Sequence, residues 1–278
     1  MRIATWNVNS VVARMPKLLD WLGTAQPDVV CLQELKTSVE QFPGDDIAAL
    51  GYEVAVHGTG RWNGVGILSR VGLDDVRRGL ADEPGFVPDD APSLFPPGET
   101  VDAHEPRAVG ATCGGVRLWS LYVPNGREVG HPHYDYKLAW LDALAATVRD
   151  ELPSSPFFAL LGDFNIAPTD ADVWDPAVFT TSTHVTPAER GKLADLRELG
   201  LTDVVPRAMK YDTPYTYWDY RAGSFHKNLG MRIDLVYASA GLASAVSDAY
   251  VDREARKGSV KAGNAPSDHA PVVVDVDL

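Results

Sequence analysis

Phe157-Phe158-Ala159-Leu160-Leu161-Gly162-Asp163-Phe164-Asn165 is a run of five apolar residues that stops on a glycine and then offers a carboxylate and an amide. Phe157–Leu161 has no polar face, so it is expected as a strand buried on both sides. A carboxylate beside such a strand is costly unless it is paired, hydrogen-bonded or metal-bound. Taken singly, Asp163 has a plain explanation as a turn residue. The pattern recurs, however. Asn7 follows Ile3-Ala4-Thr5-Trp6, and Glu34 follows Val29-Val30-Cys31-Leu32-Gln33. Asp234 sits inside Arg232-Ile233-Asp234-Leu235-Val236, and Asp268-His269 immediately precede Ala270-Pro271-Val272-Val273-Val274. Strand ends of a sandwich share a rim, so these polar residues are expected to cluster there.

Outward from that stretch, short apolar runs alternate with turns and a few helices. Further strands are expected at Ile3–Val8, Asp28–Gln33, Tyr52–Val56, Gly64–Ser69, Ala108–Cys113, Val116–Val123, Tyr215–Trp218, Met231–Tyr237, Ala245–Val251 and Pro271–Val276. Gly114-Gly115 between two apolar runs signals a hairpin. Pro16–Leu22 reads as a helix, because proline suits a first turn and Leu18, Leu19 and Leu22 recur at helical spacing. Tyr136–Arg149 carries a stripe of Leu138, Leu141, Leu144 and Val148. Thr186-Pro187-Ala188-Glu189 forms a capping box that opens a helix to about Leu199. Many strands with intervening helices imply two packed sheets with helices outside. No linker divides the chain, so residues 1–278 are expected to form one domain, with a Pro- and Asp-rich surface excursion at about 81–106.

The chain has 278 residues, 45% of them hydrophobic, enough for a sizeable core. No apolar run approaches the roughly 20 residues of a membrane span. No signal peptide is visible at Arg2-Ile3-Ala4-Thr5. Cys31 and Cys113 each lie in an apolar run. That fits buried thiols in a reducing, cytoplasmic compartment and excludes a disulfide scaffold. The net charge of −13 argues by itself against nucleic acid. The charge is uneven, though: nine acids and two bases fall between Leu73 and Glu105. Clustered carboxylates at a site would account for part of the remainder, so net charge does not decide the partner.

The rim residues combine hard oxygen donors, amides and one imidazole beside an acid. No Cys/His cluster accompanies them, which argues against zinc. Oxygen-rich ligation suits Mg²⁺ or Mn²⁺. A nucleophile elbow, a Walker loop and a dinucleotide fingerprint are absent. A hard metal with carboxylates and a histidine implies metal-assisted hydrolysis, most naturally of a phosphate ester.

These motifs are similar to those of a known family. The blocks Thr5-Trp6-Asn7-Val8-Asn9, Leu32-Gln33-Glu34-Leu35-Lys36, Tyr122-Val123-Pro124-Asn125-Gly126, Gly162-Asp163-Phe164-Asn165, Tyr217-Trp218-Asp219-Tyr220, Arg232-Ile233-Asp234 and Ser267-Asp268-His269 run in order along the chain. In them the sequence resembles exodeoxyribonuclease III and the related abasic-site endonucleases of the endonuclease/exonuclease/phosphatase superfamily. The resemblance implies a four-layered α/β sandwich, two packed and mostly antiparallel β-sheets flanked by helices, with the site on one rim. It implies a metal set of Asn7, Glu34, Asp163, Asn165, Asp268 and His269, and a catalytic set of Tyr122, Asp163, Asn165, Asp234 and His269. Asp163 would orient or deprotonate water, Tyr122 would donate to phosphate, and Asp234 would pair with His269. Substrate contacts are implied at Asn9, Lys36, Asn125, Arg127 and Trp218, with a lesion pocket at Tyr217, Met231 and Ile233. Strand alternation independently puts Met231 and Ile233 on one face. The implied activity is 3′→5′ exonuclease on duplex DNA and incision 5′ of abasic sites by a monomer located with the nucleoid. The alternatives are a superfamily phosphodiesterase or phosphatase acting on a small-molecule or lipid phosphate, and a catalytically dead DNA-binding protein.

Overall fold

The computed structural model describes residues 1–87, 103–259, 261 and 263–278. Its strands are β1 Arg2–Asn7, β2 Val29–Gln33, β3 Glu53–His57, β4 Val65–Ser69, β5 Asp74–Arg78, β6 Ala108–Cys113, β7 Val116–Tyr122, β8 Phe158–Asp163, β9 Thr202–Asp203, β10 Asp234–Ala238, β11 Val246–Val251 and β12 Val272–Val276. They form two six-stranded sheets, ordered β11-β12-β1-β2-β4-β3 and β5-β6-β7-β8-β10-β9. Each sheet has one parallel pair at its centre, β1 with β2 and β7 with β8, and is otherwise antiparallel. A parallel pair needs a long crossover. Helix α1 (Val11–Ala25) supplies it in the first sheet and the long helix Pro132–Glu151 in the second.

The core follows from strand alternation. One face of each sheet meets the other through Ile3, Cys31, Ile67, Ala111, Leu118, Ala159 and Val236. The outer face of the first sheet packs Trp6, Val30 and Leu32 against Leu18 and Leu22 of α1. The outer face of the second packs Trp119, Phe158 and Leu160 against Trp140, Leu141, Leu144 and Val148 of the long helix. The four layers expected above are therefore present. Both cysteines are buried and free. No helix among the described residues is long and apolar enough to cross a membrane.

The departures have physical causes. The first helix is not opened by Pro16, which lies inside it. Its start is fixed at Ser10, whose side chain caps Ala13 N–H, and by Ser10 and Val11 N–H groups that donate to Glu34 and Leu35 carbonyls. Tertiary anchoring outweighs the proline preference. The expected strand Tyr215–Trp218 is reduced to isolated bridges from Tyr217 to Met231 and His269. β5 was not expected, because Asp74-Asp75-Val76-Arg77-Arg78 is a charged edge strand with little apolar signal. Most of the expected excursion at 81–106 lies outside the described residues. At its borders Phe86 N–H donates to Ala103 O, and the Phe86 ring stacks on Tyr136, so those ends are fastened to the second helical layer.

The sheet registers create the rim. Parallel β1 and β2 end together at Asn7 and Gln33, and parallel β7 and β8 end together at Tyr122 and Asp163. Antiparallel β10 begins where β8 ends, with Asp234 opposite Asp163. The segment entering β12 comes back over β1, where Trp6 Nε1 donates to His269 O at 3.1 Å.

Candidate active site

Glu34, Asp163 and His269 bring one ligand-capable atom each within 4.8 Å of one another. Asn7 links two of them: its Nδ2 donates to Glu34 Oε1 at 2.8 Å and to Asp163 Oδ2 at 2.9 Å. Its Oδ1 accepts from Asn9 N–H at 3.0 Å. Asn7 thus spaces the two carboxylates and turns its own oxygen away from them. Tyr122 reaches Glu34 with its hydroxyl; burial, and then the Glu34 charge, push that phenol well above its ordinary pKa. Burial would raise Glu34, but Lys36, with Nζ at 2.8 Å from Oε2, outweighs it and holds the carboxylate below its usual range.

His269 Nδ1 donates to Asp234 Oδ2 at 2.8 Å, and its Nε2 faces Asp163 Oδ2 at 3.8 Å. Burial would lower the imidazole pKa; Asp234, then Asp163 and Asp268, outweigh that and raise it. Among the described residues Asp234 Oδ1 has no partner, while Oδ2 is engaged by the imidazole. The pairing orients the ring and favours its cationic form. Asp163 moves the other way from an ordinary carboxylate: burial, with the nearby charges of Asp234 and Glu34, raises it although His269 opposes this. Its Oδ1 accepts from Asn165 N–H at 2.9 Å.

The remaining expected residues fall into groups. Asn165 donates to Val123 O and accepts from Asn125 Nδ2 at 3.1 Å, so its amide is held among loop groups. Asp268 is not part of the Glu34–Asp163–His269 trio; it accepts from Asn9 Nδ2 at 3.0 Å. Lys36 folds inward, donating to Asn9 Oδ1 at 2.5 Å as well as pairing with Glu34. Arg127 is exposed and lines a cavity of about 440 Å³ with Trp174, Phe179, His184, Tyr217 and Met231. The Tyr217 ring stands 4.9 Å from that of His269, so this cavity adjoins the trio.

Two of the expected substrate-contact residues are placed away from the cavity surface. Trp218 is 1% exposed, donates its indole N–H to Asn228 Oδ1 and packs edge-on against Phe225. It is a core residue that holds the Tyr217–Tyr220 segment from behind. Ile233 shares an apolar cluster with Met231, Ala167 and Val173, as alternation requires, but does not line the cavity.

Several supports were not visible in the sequence pattern. Lys137, fully buried in the long helix, donates from Nζ to Asn125 O at 3.2 Å, Asn165 O at 2.8 Å and Glu189 Oε1 at 2.5 Å. Glu189 is the capping-box glutamate; its Oε2 accepts from Thr186 N–H, while its Oε1 also accepts from Thr183 Oγ1 and His184 N–H. One ion pair thereby ties together two site loops and the cavity wall. Thr216 Oγ1 accepts from the N–H groups of Ile233 and Asp234. Asn9, Glu34, Lys36, Arg127, Asn165 and His184 all have positive φ, between 45° and 83°. Such left-handed backbone at non-glycine positions is costly and concentrates where function over-determines the chain.

The comparisons agree with this geometry. The family model described as the endonuclease/exonuclease/phosphatase family matches residues 4–269. The structure is similar to the 3′-5′ exonuclease NExo from Neisseria meningitidis, with a TM-score of 0.87, 37% identity and 100% of both chains covered. The same values hold for a structure of 3′ phosphatase NExo from Neisseria bound to a product DNA hairpin. An AP endonuclease from Archaeoglobus fulgidus gives a TM-score of 0.86 at 32% identity, again covering 100% of both chains. Exodeoxyribonuclease III of Haemophilus influenzae is 28% identical over 290 residues, 98% of each chain. This chain belongs to the endonuclease/exonuclease/phosphatase family.

Proposed function

We propose that the protein is a DNA-repair nuclease of the exodeoxyribonuclease III type, a hydrolase of phosphodiester bonds that processes 3′ ends of duplex DNA and incises 5′ of abasic sites. The observation that carries this reading is the convergence of Glu34, Asp163 and His269 beside a cavity walled by Tyr217 and Met231. The names of the relatives, exodeoxyribonuclease III and AP endonuclease, support it, as does the DNA product bound by the Neisseria protein. The chain would act as one domain and as a monomer, in the cytoplasm with the nucleoid.

Glu34 and Asp163 suit a hard divalent cation, Mg²⁺ or Mn²⁺, because such ions take one or two carboxylates and fill the rest of their shell with water and phosphate oxygens. His269 does not join them as a ligand, since its Nδ1 is engaged by Asp234 and its cationic form has no free lone pair. When bound there, such a cation would supply charge neutralisation for the phosphate and its departing oxygen. Everything else falls to the chain. Asp163, with its Oδ1 held by Asn165 N–H, accepts the proton of the attacking water. His269, held as a cation by Asp234, donates from Nε2 to a non-bridging phosphate oxygen, and Tyr122 donates to another. The 3′-oxygen leaves and takes up a proton, giving a 3′-hydroxyl and a 5′-phosphate. Asn7 keeps the two carboxylates apart, and Asn165 holds Asp163 through its backbone N–H.

The deciding experiment incubates the protein with three duplexes, one with an internal abasic site, one with a recessed 3′-hydroxyl end and one intact and blunt, with Mg²⁺ and with chelator. Metal-dependent cleavage at the abasic site and at the 3′ end is expected. Hydrolysis of small phosphate esters with no cleavage of any duplex would replace this reading by the phosphatase alternative. Tyr217→Ala is expected to impair abasic-site incision more than hydrolysis of a small diester; equal losses would place Tyr217 among ordinary packing residues.

A further inference from the structure

A second cavity, of about 390 Å³, shares Asp219 and Ser224 with the first but opens onto different chemistry. Its lining includes Arg14, Arg256, Lys257, His226 and Tyr220. Asp219 is the one carboxylate among the lining residues, and it is turned to Arg221, whose N–H it accepts at 2.7 Å. Lys257 is held by Glu254 at 2.6 Å.

The two arginines differ from those of this chain that pair with acids. Arg2, Arg107, Arg117, Arg190, Arg207 and Arg232 all face carboxylates. Arg14 and Arg256 make no ion pair among the described residues, although the chain carries 38 acidic side chains. Arg256 is 7% exposed; its Nη2 donates to Trp218 O at 3.3 Å and its Nε has no partner. Its guanidinium lies 4.9 Å from the Tyr220 ring centroid and 5.1 Å from that of Phe225. Arg14 Nη2 donates to the Tyr220 hydroxyl at 3.0 Å, and its Nε is likewise without a partner. One tyrosine is thus bracketed by two guanidinium groups. Burial, and also the Arg14 charge, disfavour the charged form of Arg256, while Tyr220, Asp268 and Tyr217 favour it. Two guanidinium groups gathered with no carboxylate in direct contact leave an unfavourable interaction that an entering anion offsets. Guanidinium forks match phosphate oxygens in geometry.

The cavity is also coupled to the reacting centre by the chain. Ala265 and Pro266 line it, Tyr220 donates to Pro266 O at 2.9 Å, and the backbone then runs through Ser267 and Asp268 to His269. We propose that this cavity is a second phosphate subsite, in which Arg14 and Arg256 hold a non-reacting phosphate of the DNA backbone while the scissile phosphate lies at His269. The proposal rests on the nuclease reading above. It gives an acidic protein a local grip on an anionic polymer and sets which phosphate reaches the centre.

The test uses the full chain with Mg²⁺ and a duplex carrying a recessed 3′ end, over a range of salt concentrations. Arg14→Gln and Arg256→Gln are compared with the original protein, each normalised to its hydrolysis of bis(p-nitrophenyl) phosphate. Arg14 is partly exposed, so its variant remains informative if Arg256→Gln fails to fold. Each folded variant is expected to raise KM for duplex about tenfold and to flatten the slope of log kcat/KM against log salt by about 1. Arg14→Lys should recover part of the KM. Unchanged KM and salt slope in folded Arg14→Gln would overturn the subsite. So would inhibition by a deoxynucleoside monophosphate that Arg14→Gln abolishes while the duplex salt slope stays unchanged, because the cavity would then hold product. Failure of the original protein to cleave any duplex would instead remove the nuclease reading itself.

Discussion

Glu34, Asp163, Asp234 and His269 carry different protonation demands within one small volume. Glu34 is kept anionic by Lys36, which suits a metal ligand. Glu34→Gln should therefore require far more Mg²⁺ for the same rate, and a titration of rate against Mg²⁺ checks it; full activity at low Mg²⁺ would remove Glu34 from the metal site. Asp163 is raised by burial, and by Asp234 and Glu34, against the opposing charge of His269, whereas His269 is raised by Asp234 and Asp163 against the opposing effect of burial. Asp163→Asn and His269→Ala should each lower turnover by about 10²–10⁴-fold. Asp234 acts only through His269, so Asp234→Ala combined with His269→Ala should cost little more than His269→Ala alone. Multiplicative losses in the double variant would show that the pair is not one unit.

At the scale of elements, the Gly162-Asp163 end of β8 and the buried Lys137–Glu189 pair place the loops. Gly162 has φ 152° and runs beside β7, where any Cβ would meet the Leu121 carbonyl oxygen. The glycine is required by that close approach, which is why the apolar run of β8 stops on it. Lys137 serves two loops and the first turn of the helix Pro187–Glu198 at once, and removing its charge strands a buried carboxylate and two carbonyl oxygens. Lys137→Met should lower stability by about 3–5 kcal/mol in urea unfolding; a loss below about 1 kcal/mol would show that Glu189 is served by Thr183 and His184 without it. The sequence displayed the glycine stop, because strand periodicity ends there. Nothing in the sequence announced Lys137, which sits on a helix with ordinary spacing and finds Glu189 only 52 residues later.

For the molecule as a whole, His133 links stability to pH. Its Nδ1 accepts from Gly126 N–H at 3.1 Å, which requires the neutral ring. Burial, with Arg107 nearby, pushes its pKa down to about 4. The folded state therefore binds fewer protons than the unfolded chain between the ordinary histidine value of about 6.5 and 4. The stabilisation is complete above the unfolded value and is lost as pH falls through that window. Glu189, held at about 2 by Lys137 against the opposing effect of burial, adds a loss that begins only below the ordinary glutamate range. Thermal melting should show Tm falling from pH 7 to pH 5, and His133→Gln should flatten that dependence; an equal fall in both proteins would assign it elsewhere.

Taken by itself, the sequence determined most of the strands, though not β5 or β9, together with the crossover and capping-box helices and the residues Asn7, Glu34, Asp163, Asp234 and His269 as polar interruptions of apolar runs. Burial makes such interruptions costly, so they stand out locally. Only the tertiary structure decided that Trp218 belongs to the core while Tyr217 faces the cavity, that Lys36 turns to Glu34, and that Asp268 stands outside the Glu34–Asp163–His269 trio. The same holds for Arg14 and Arg256, which lie 242 positions apart in the chain and meet at one tyrosine. Those outcomes depend on which long-range partner satisfies each group, and a partner's identity follows from sheet register and loop packing, not from local spacing.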